Sequence, residues 1–278
     1  MKKILVPCDF SKQAINAFRF ALDLASKSKG EVYLLNVVEL PVMHDTVLMP
    51  VLSFEEQLLK ELAGNSKKQF LKLKEKYEQG NVKVKSITKF GLTYRVIIDY
   101  IKQNKIDLVL MGTHGASGLR ELLIGSNTEK IVRNSPVPVI TIKQYPKGGT
   151  IKNIVFPNAL DQDQEDLTMK VKALQDFFKA QLHIVWINTP ASFTRDSTTL
   201  QRLEEFAKRF MFKKYTINIF NDLDEESGII NFTHSINADL IAMGTRGRKG
   251  LAHILSGSVT EDVVNHVNCP IWTHTVKR

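Results

Sequence analysis

Ile106-Asp107-Leu108-Val109-Leu110-Met111-Gly112-Thr113-His114-Gly115 is the pattern of a buried strand that ends in a glycine-containing turn. Ala238-Asp239-Leu240-Ile241-Ala242-Met243-Gly244-Thr245-Arg246-Gly247 repeats it at an offset of 132 residues. The same offset continues through Gly125/Gly257, Ser126/Ser258 and Thr128/Thr260. A register kept over so long a stretch indicates an internal duplication.

The duplication defines two domains. Ile4-Leu5-Val6-Pro7 at the start of the chain resembles Ile154-Val155-Phe156-Pro157. The stretch from Tyr145 to Thr150 contains a proline and paired glycines, which are typical of a linker. We therefore predict domains at residues 1–146, the first repeat, and 150–278, the second repeat.

Strand-like runs alternate with helical patterns in both repeats. The predicted strands are Lys3–Val6, Glu31–Val37, Lys83–Lys89, Leu108–Gly112, Val137–Ile142, Asn153–Phe156, Gln181–Ile187, Tyr215–Phe220, Leu240–Gly244 and Ile271–Thr275. Ser11 begins the first helix, and Ser53 with Glu56 forms a capping box for the second. This alternation favours parallel sheets with helices on both faces, so each repeat is predicted to be a doubly wound α/β domain.

Composition and charge limit the class of protein. The chain is 43% hydrophobic and 24% charged, which argues against disorder. No apolar run approaches the ~18 to 20 residues that span a bilayer, and Met1 to Asp9 lacks the core of a secretory signal. Two distant cysteines, Cys8 and Cys269, fit a reducing compartment. We expect a cytoplasmic protein that binds no membrane.

The net charge of +9 favours anionic ligands. Basic residues are concentrated in the first repeat, where a surface rich in lysine attracts nucleotides and, less specifically, nucleic acid. No RNA-binding motif or aromatic platform is identified, so no specific nucleic-acid partner is expected.

The glycine-rich segment after the fourth strand is the candidate anion site. Ligands of open parallel sheets bind at the carboxyl ends of the strands. Glycines such as Gly112 let the backbone approach a phosphate and take positive φ, while the free N–H groups and hydroxyls from Ser126 to Thr128 bind anions at a helix start. The spacing is neither that of a Walker P-loop nor that of the dinucleotide fingerprint. The alternative, that these glycines only turn a loop, stays open.

The spacing of these glycines resembles a known family motif. Gly112-x-x-Gly115, nine residues and Gly125-Ser126, with Gly244-x-x-Gly247, nine residues and Gly257-Ser258, are similar to the G-2x-G-9x-G-[S/T] motif of the universal stress protein family. Lys3 to Ser11, Leu34 to Val37 and Ser135 to Val139 resemble other strands of that family. The resemblance implies two tandem Rossmann-like domains of the adenine nucleotide alpha hydrolase-like type, each a five-stranded parallel sheet with helices on both faces.

The resemblance also implies a nucleotide site. ATP, or ADP or AMP, would lie across the carboxyl edge, with Asp9 at the adenine or ribose and the backbone of Val37 at adenine. The implied binding residues are Pro7, Asp9, Val37, Met111, Gly112, His114, Gly115, Gly125, Ser126, Asn127 and Thr128, with Gly244, Gly247, Gly257 and Ser258 in the second repeat. His114 has the alternative of an exposed loop residue. Mg²⁺ is expected to accompany a triphosphate.

The second repeat departs from this pattern at one position. Aligning Pro7 with Pro157 puts Ala159 where the first repeat has Asp9. Asp161 lies two positions later, and whether it replaces Asp9 is left open. We therefore expect nucleotide mainly in the N-terminal domain.

No catalytic motif accompanies the loop. The chain has no H-E-x-x-H and no G-x-S-x-G, and its seven histidines show no metal-ligand pairing. The resemblance favours a stress-response regulatory protein over an enzyme, with slow ATP hydrolysis or autophosphorylation not excluded. The alternative is a cofactor-binding enzyme or flavin carrier on the same scaffold.

The family resemblance also implies an assembly. Its single domains pair through their final strands, so Val137–Ile142 and Ile271–Thr275 are expected to pair within this chain as an intramolecular pseudo-dimer. A homodimer of the whole chain is left open.

Overall fold

The computed structural model describes residues 1–39, 51–77, 80, 82–113, 125–146, 150–160, 164–246 and 259–276, with only the backbone at 51–56, 246, 261, 262 and 265. These residues form two compact units, Met1–Gly112 and Thr113–Arg278. No described helix is long and apolar enough to cross a membrane.

The first unit is a parallel sheet with flanking helices. Its elements are β1 (Lys3–Pro7), α1 (Lys12–Ser28), β2 (Glu31–Val38), α2 (Val51–Tyr77), β3 (Lys83–Phe90), α3 (Thr93–Asn104) and β4 (Leu108–Gly112). The strand order is β3-β2-β1-β4, and each neighbouring pair is parallel. This order brings the carboxyl ends of β1, β2 and β4 to one edge of the sheet.

The start of α1 is determined by the polar residues that follow β1. Ser11 is the N-cap, and its hydroxyl accepts a hydrogen bond from the backbone N–H of Ala14 at 3.2 Å. Phe10 takes a left-handed backbone conformation at φ 65°, and its ring packs edge-on against Phe70 of α2. The predicted helix start is confirmed.

The predicted capping box of α2 is wrong. The helix begins at Val51, so Ser53 lies inside it and cannot be its N-cap. Apolar positions further along continue the helical pattern, and Phe70 and Leu73 are buried.

The second unit contains α4 (Ser126–Asn134), β5 (Val139–Ile142), β6 (Asn153–Pro157), α5 (Glu165–Phe178), β7 (Gln181–Asn188), a short 3-10 helix (Pro190–Ser192), α6 (Asp196–Arg209), β8 (Tyr215–Asn221), α7 (Glu225–Ser235), β9 (Leu240–Arg246), α8 (Val259–His266) and β10 (Ile271–Val276). The strand order is β5-β10-β9-β6-β7-β8. All five strands of the second repeat are parallel to their neighbours within the repeat, which confirms the predicted sheet.

The last strand of the first repeat, β5, pairs with the last strand of the second, β10. The pairing is antiparallel and places Ile140 opposite Trp272. Both side chains are fully buried. Pro138 and Pro270 each directly precede one of the strands, so neither removes a hydrogen bond from within it. The predicted pairing of the final strands is confirmed.

The compact units do not coincide with the sequence repeats. Both α4 and β5 belong to the first repeat but lie in the second unit, because β5 pairs with β10 and α4 packs on β9 and β10. The domain limits 1–146 and 150–278 therefore describe the duplication and stay a prediction.

Each unit has an apolar core built on its central strands. In the first unit, β1 and β4 are almost entirely buried, as the continuous apolar run at Leu108 predicts. In the second, Val155, Ile241 and Ile271 belong to one cluster with residues of α7 and α8.

Candidate functional site

Four predicted site residues lie at the carboxyl edge of the first unit's sheet. Pro7 ends β1, Asp9 follows it, Val37 lies near the end of β2, and Gly112 ends β4. Because β1 is paired with both β2 and β4, these positions share one edge. The Asp9 carboxylate and the backbone groups of these residues therefore lie at the edge where open parallel sheets bind ligands.

Asp9 is held in position by its own turn. One carboxylate oxygen, Oδ1, accepts a hydrogen bond from the backbone N–H of Ser11 at 3.0 Å. The side chain is exposed, and within the described residues its second oxygen makes no hydrogen bond. Asp9 therefore presents a fixed acceptor at the edge of the sheet.

The backbone of Val37 is available on one side. The register of β1 with β2 ends at Pro7 and Leu35, and the carbonyl of Leu35 accepts the N–H of Cys8 at 2.8 Å. Alternate residues of a strand direct their N–H and C=O to the same side, so those of Val37 face the β1 side beyond the last paired residue. A ligand can use both a donor and an acceptor there.

Gly112 has a structural role that the sequence did not indicate. A Cβ atom at this position would lie 2.6 Å from the backbone nitrogen of Ala14 and closer still to the carbonyl of Gln13. The end of β4 therefore packs directly on the backbone of α1. Gly112 does not have positive φ, so the expected left-handed conformation is wrong here. Met111, also a predicted site residue, is buried beside it.

Gly125, in contrast, meets no steric obstacle among the described residues. Its φ of −51° and ψ of 135° are open to any residue. No described atom lies within 4 Å of the position that a Cβ would take on this residue. The described residues therefore leave room for a side chain at this position.

The first turn of α4 contains three further predicted residues, Ser126, Asn127 and Thr128. Gly125 is the N-cap and offers no side chain to the first N–H groups. Thr128 is buried, whereas Ser126 is exposed. N–H groups of a first turn carry partial positive charge and suit an anion.

Some of the predicted site residues lie outside the described part of the chain. They are His114, Gly115, Gly247, Gly257 and Ser258, and Asp161 lies outside it as well. Gly244 is described at β9, where a Cβ would lie 2.8 Å from Leu167. Its φ is not positive either.

The second repeat builds the turn after its first strand in a different way. Leu160 has a φ of 57°, like Phe10, but its N–H donates to the side chain of Asn158 at 2.6 Å. Ala159 is exposed at the position of Asp9. The second repeat therefore lacks the acidic group. The side-chain amide of Asn158, which accepts the hydrogen bond in this turn, belongs to a residue that is only 5% exposed.

Cys8 is no nucleophile, although it lies beside Asp9. Burial raises the pKa of its thiol to about 12, and the neighbouring carboxylate of Asp9 adds to the increase. The thiol is protonated at neutral pH and lacks the thiolate that reactive cysteines need.

One pair near Gly244 was missed from the sequence. Nε2 of His274 in β10 lies 2.7 Å from Oδ2 of Asp166 at the start of α5. His274 is opposite Gly244 in the strand register, and its imidazole is buried. The two residues are 108 positions apart, so no local signal could have revealed their contact.

The structure thus defines a duplicated α/β protein with polar groups and open backbone at a carboxyl sheet edge. The sequence profile described as the universal stress protein family matches residues 1–143 and 220–273. The chain belongs to the universal stress protein family.

Relatives match either the whole chain or about half of it. Universal stress protein Slr1230 of Synechocystis is 24% identical and is matched over 98% of this chain and 99% of its own length. Universal stress protein MJ0577 of Methanocaldococcus jannaschii is 29% identical over 51% of this chain and 95% of its own. These coverages fit a tandem arrangement of two family domains.

A solved structure confirms the fold. A universal stress protein from Archaeoglobus fulgidus superposes with a TM-score of 0.79 and 20% identity, covering 99% of this chain and 98% of its own. Another solved universal stress protein, 15% identical to this chain over 46% of its length and with a TM-score of 0.40, is a complex with cAMP.

Proposed function

We propose that this protein is a stress-response regulator that binds an adenine nucleotide, ATP or ADP, mainly through its first repeat. The observation that carries the proposal is Gly125. Its backbone angles are open to any residue and no described atom lies within 4 Å of a Cβ at this position, so we assign to this glycine the close approach of a ligand to the backbone.

The nucleoside contacts would come from the residues that follow β1 and β2 of the first repeat. The free carboxylate oxygen of Asp9 can accept from a ribose hydroxyl or the adenine amine, and Val37 offers a backbone donor and acceptor. The second repeat has Ala159 in place of Asp9 and is proposed to bind nucleotide more weakly or to bind another anion.

The phosphates would be bound by the first turn of α4. Its N–H groups and the hydroxyl of Ser126 supply donors, and Gly125 leaves the approach open. Mg²⁺ would arrive with the triphosphate, held largely by phosphate oxygens and water.

We further propose binding rather than catalysis, in the cytoplasm. The buried Cys8 thiol offers no nucleophile, and Asp9 is used as a ligand acceptor. The pairing of β5 with β10 supports the pseudo-dimer of repeats, and a homodimer of chains is compatible with it.

A pair of glycine variants tests the binding site. Gly125→Val should weaken ATP binding by at least about tenfold, because the added side chain occupies the phosphate approach. Gly64→Val is the matched control, since Gly64 of α2 also meets nothing within 4 Å. Titration calorimetry gives the affinities, and circular dichroism verifies folding. Equal ATP affinity in folded Gly125→Val and wild type would reject this site.

A further inference from the structure

Helix α4 is anchored at its C-terminal end by hydroxyl groups of the second repeat. Thr245 of β9 donates from Oγ1 to the carbonyl of Val132 at 3.3 Å. Thr275 of β10 donates from Oγ1 to the carbonyl of Arg133 at 3.4 Å. Carbonyls in the last turn of a helix have no donor within it. The two threonines supply donors that the helix itself lacks.

Two other carbonyls near this end of the helix accept local hydrogen bonds. The N–H of Ser135 donates to Ile131 at 2.8 Å, and Nδ2 of Asn134 donates to Lys130 at 2.8 Å. Such bonds shape the helix end without fixing it to the sheet. Among the described contacts, Thr245 and Thr275 provide the polar link from α4 to β9 and β10.

The opposite end of α4 is the end where we place the phosphates. Gly125 supplies no side-chain cap there. A helix of nine residues is a stiff rod about 13 Å long, so the bonds at its last turn fix the direction of the N–H groups in its first.

We propose that Thr245 and Thr275 are positioning residues for phosphate binding, so that the second repeat holds the helix used by the nucleotide of the first. This inference rests on the proposed function. The second repeat would then contribute to nucleotide binding by holding α4, although it has Ala159 where the first repeat has Asp9.

The two hydroxyls act together. Oγ1 of Thr245 also lies 3.3 Å from Oγ1 of Thr275, and it has a single proton to donate. When Thr245 donates that proton to Oγ1 of Thr275, the carbonyl of Val132 has no donor from Thr245. The hydroxyl of Thr275 still donates to the carbonyl of Arg133. Removing both hydroxyls therefore gives the full effect.

The test compares ATP with adenosine, which has no phosphate. In Thr245→Val and in the double variant with Thr275→Val, ATP should bind about three- to tenfold more weakly, the range that one or two neutral hydrogen bonds control. Adenosine affinity should not change. Thr273→Val is the matched control, because the Thr273 hydroxyl donates to Val139 of β5 at 3.3 Å and not to α4. If Thr245→Val does not fold, the single variant Thr275→Val is used in its place, because Thr275 is only half-buried.

Hydrogen exchange of α4 without nucleotide provides a separate readout. Amides of residues 126–134 should exchange faster in the Thr245 and Thr275 variants than in Thr273→Val. Unchanged exchange, or an equal loss of ATP and adenosine affinity, would overturn the inference. If wild type binds ATP and the variants bind it equally well, only this inference fails. A wild-type chain that binds no ATP overturns the proposed function and the inference together.

Discussion

A Cβ atom on Gly112 would lie 2.6 Å from the backbone nitrogen of Ala14 in the first turn of α1. The obstructing atoms are backbone, so they cannot rotate away as a side chain can. The packing of α1 on β4 therefore fixes glycine at the end of this strand. It also distinguishes two glycines of the motif, since no described atom obstructs a side chain at Gly125.

Gly112→Ala is expected to destabilise the protein by about 1 to 3 kcal/mol, the typical result of forcing an extra carbon into a packed interface. Gly125→Ala should cost less, about 0.5 to 1 kcal/mol, because alanine is a poorer N-cap than glycine but meets no described atom. Urea denaturation followed by circular dichroism measures both. Equal stability of Gly112→Ala and wild type would show that α1 can move aside.

Substitution of Asp9, the acidic residue that the second repeat lacks, tests the asymmetry of the repeats. Asp9→Ala should weaken ATP binding by about 1 to 3 kcal/mol, because a polar group of the bound nucleoside loses its partner. Asp9→Asn removes the charge but keeps a side-chain oxygen that can accept the hydrogen bond from the N–H of Ser11. Comparing the two variants therefore separates the effect of the charge from the effect of the turn. The full chain must be used, because β5 of the first repeat is paired with β10 of the second. Unaltered ATP affinity in Asp9→Ala would remove this residue from the site.

A double-mutant cycle tests the contact between the final strands. Trp272→Ala should cost about 3 to 5 kcal/mol and Ile140→Ala about 2 to 5 kcal/mol, since both side chains are buried. Because they are opposite in the register, their effects should couple by at least about 0.5 kcal/mol. A control cycle combines Ile140→Ala with Leu223→Ala, at a residue that is 83% exposed, and these two substitutions should show no coupling. Additive losses for Ile140 and Trp272 would contradict the pairing.

The two cysteine thiols predict a loss of stability in alkali. Burial raises the pKa of Cys8 and of Cys269 to about 12, from an ordinary value of 9.0. Below pH 9 the thiols are protonated in both the folded and the unfolded chain. Above pH 9 only the unfolded chain loses these protons, so the free energy of unfolding falls as the pH rises. The fall ends when the thiols of the folded chain ionise near pH 12. Denaturation at about pH 8 and about pH 10 should show a smaller decline in Cys8→Ala/Cys269→Ala than in wild type. The same decline in both proteins would show that the thiols do not cause it.

The elements that could be predicted from sequence are those with a strong local signal. The strand Leu108–Gly112 has the predicted bounds, because its continuous apolar run ends at a glycine. Ser11 is recognisable as the helix start from its position before an amphipathic pattern. The start of α2 was missed, since the serine and glutamate of a capping box can also occur inside a helix.

The candidate site could be predicted only in part. Spacing located the glycines and the polar edge, and the repeat alignment revealed Ala159. The reasons for individual glycines depend on tertiary packing, such as the approach of Gln13 to Gly112. The anchoring of α4 by Thr245 joins residues 113 positions apart, and no local pattern encodes it.

The central claim is that one adenine nucleotide binds through the first repeat. Calorimetric titration of ATP into the full wild-type chain, with Mg²⁺ present, tests it most directly. The account predicts a single saturable site with close to one ATP per chain, which Gly125→Val weakens and Gly64→Val does not. Absence of saturable binding, or two equivalent sites per chain, would contradict the account.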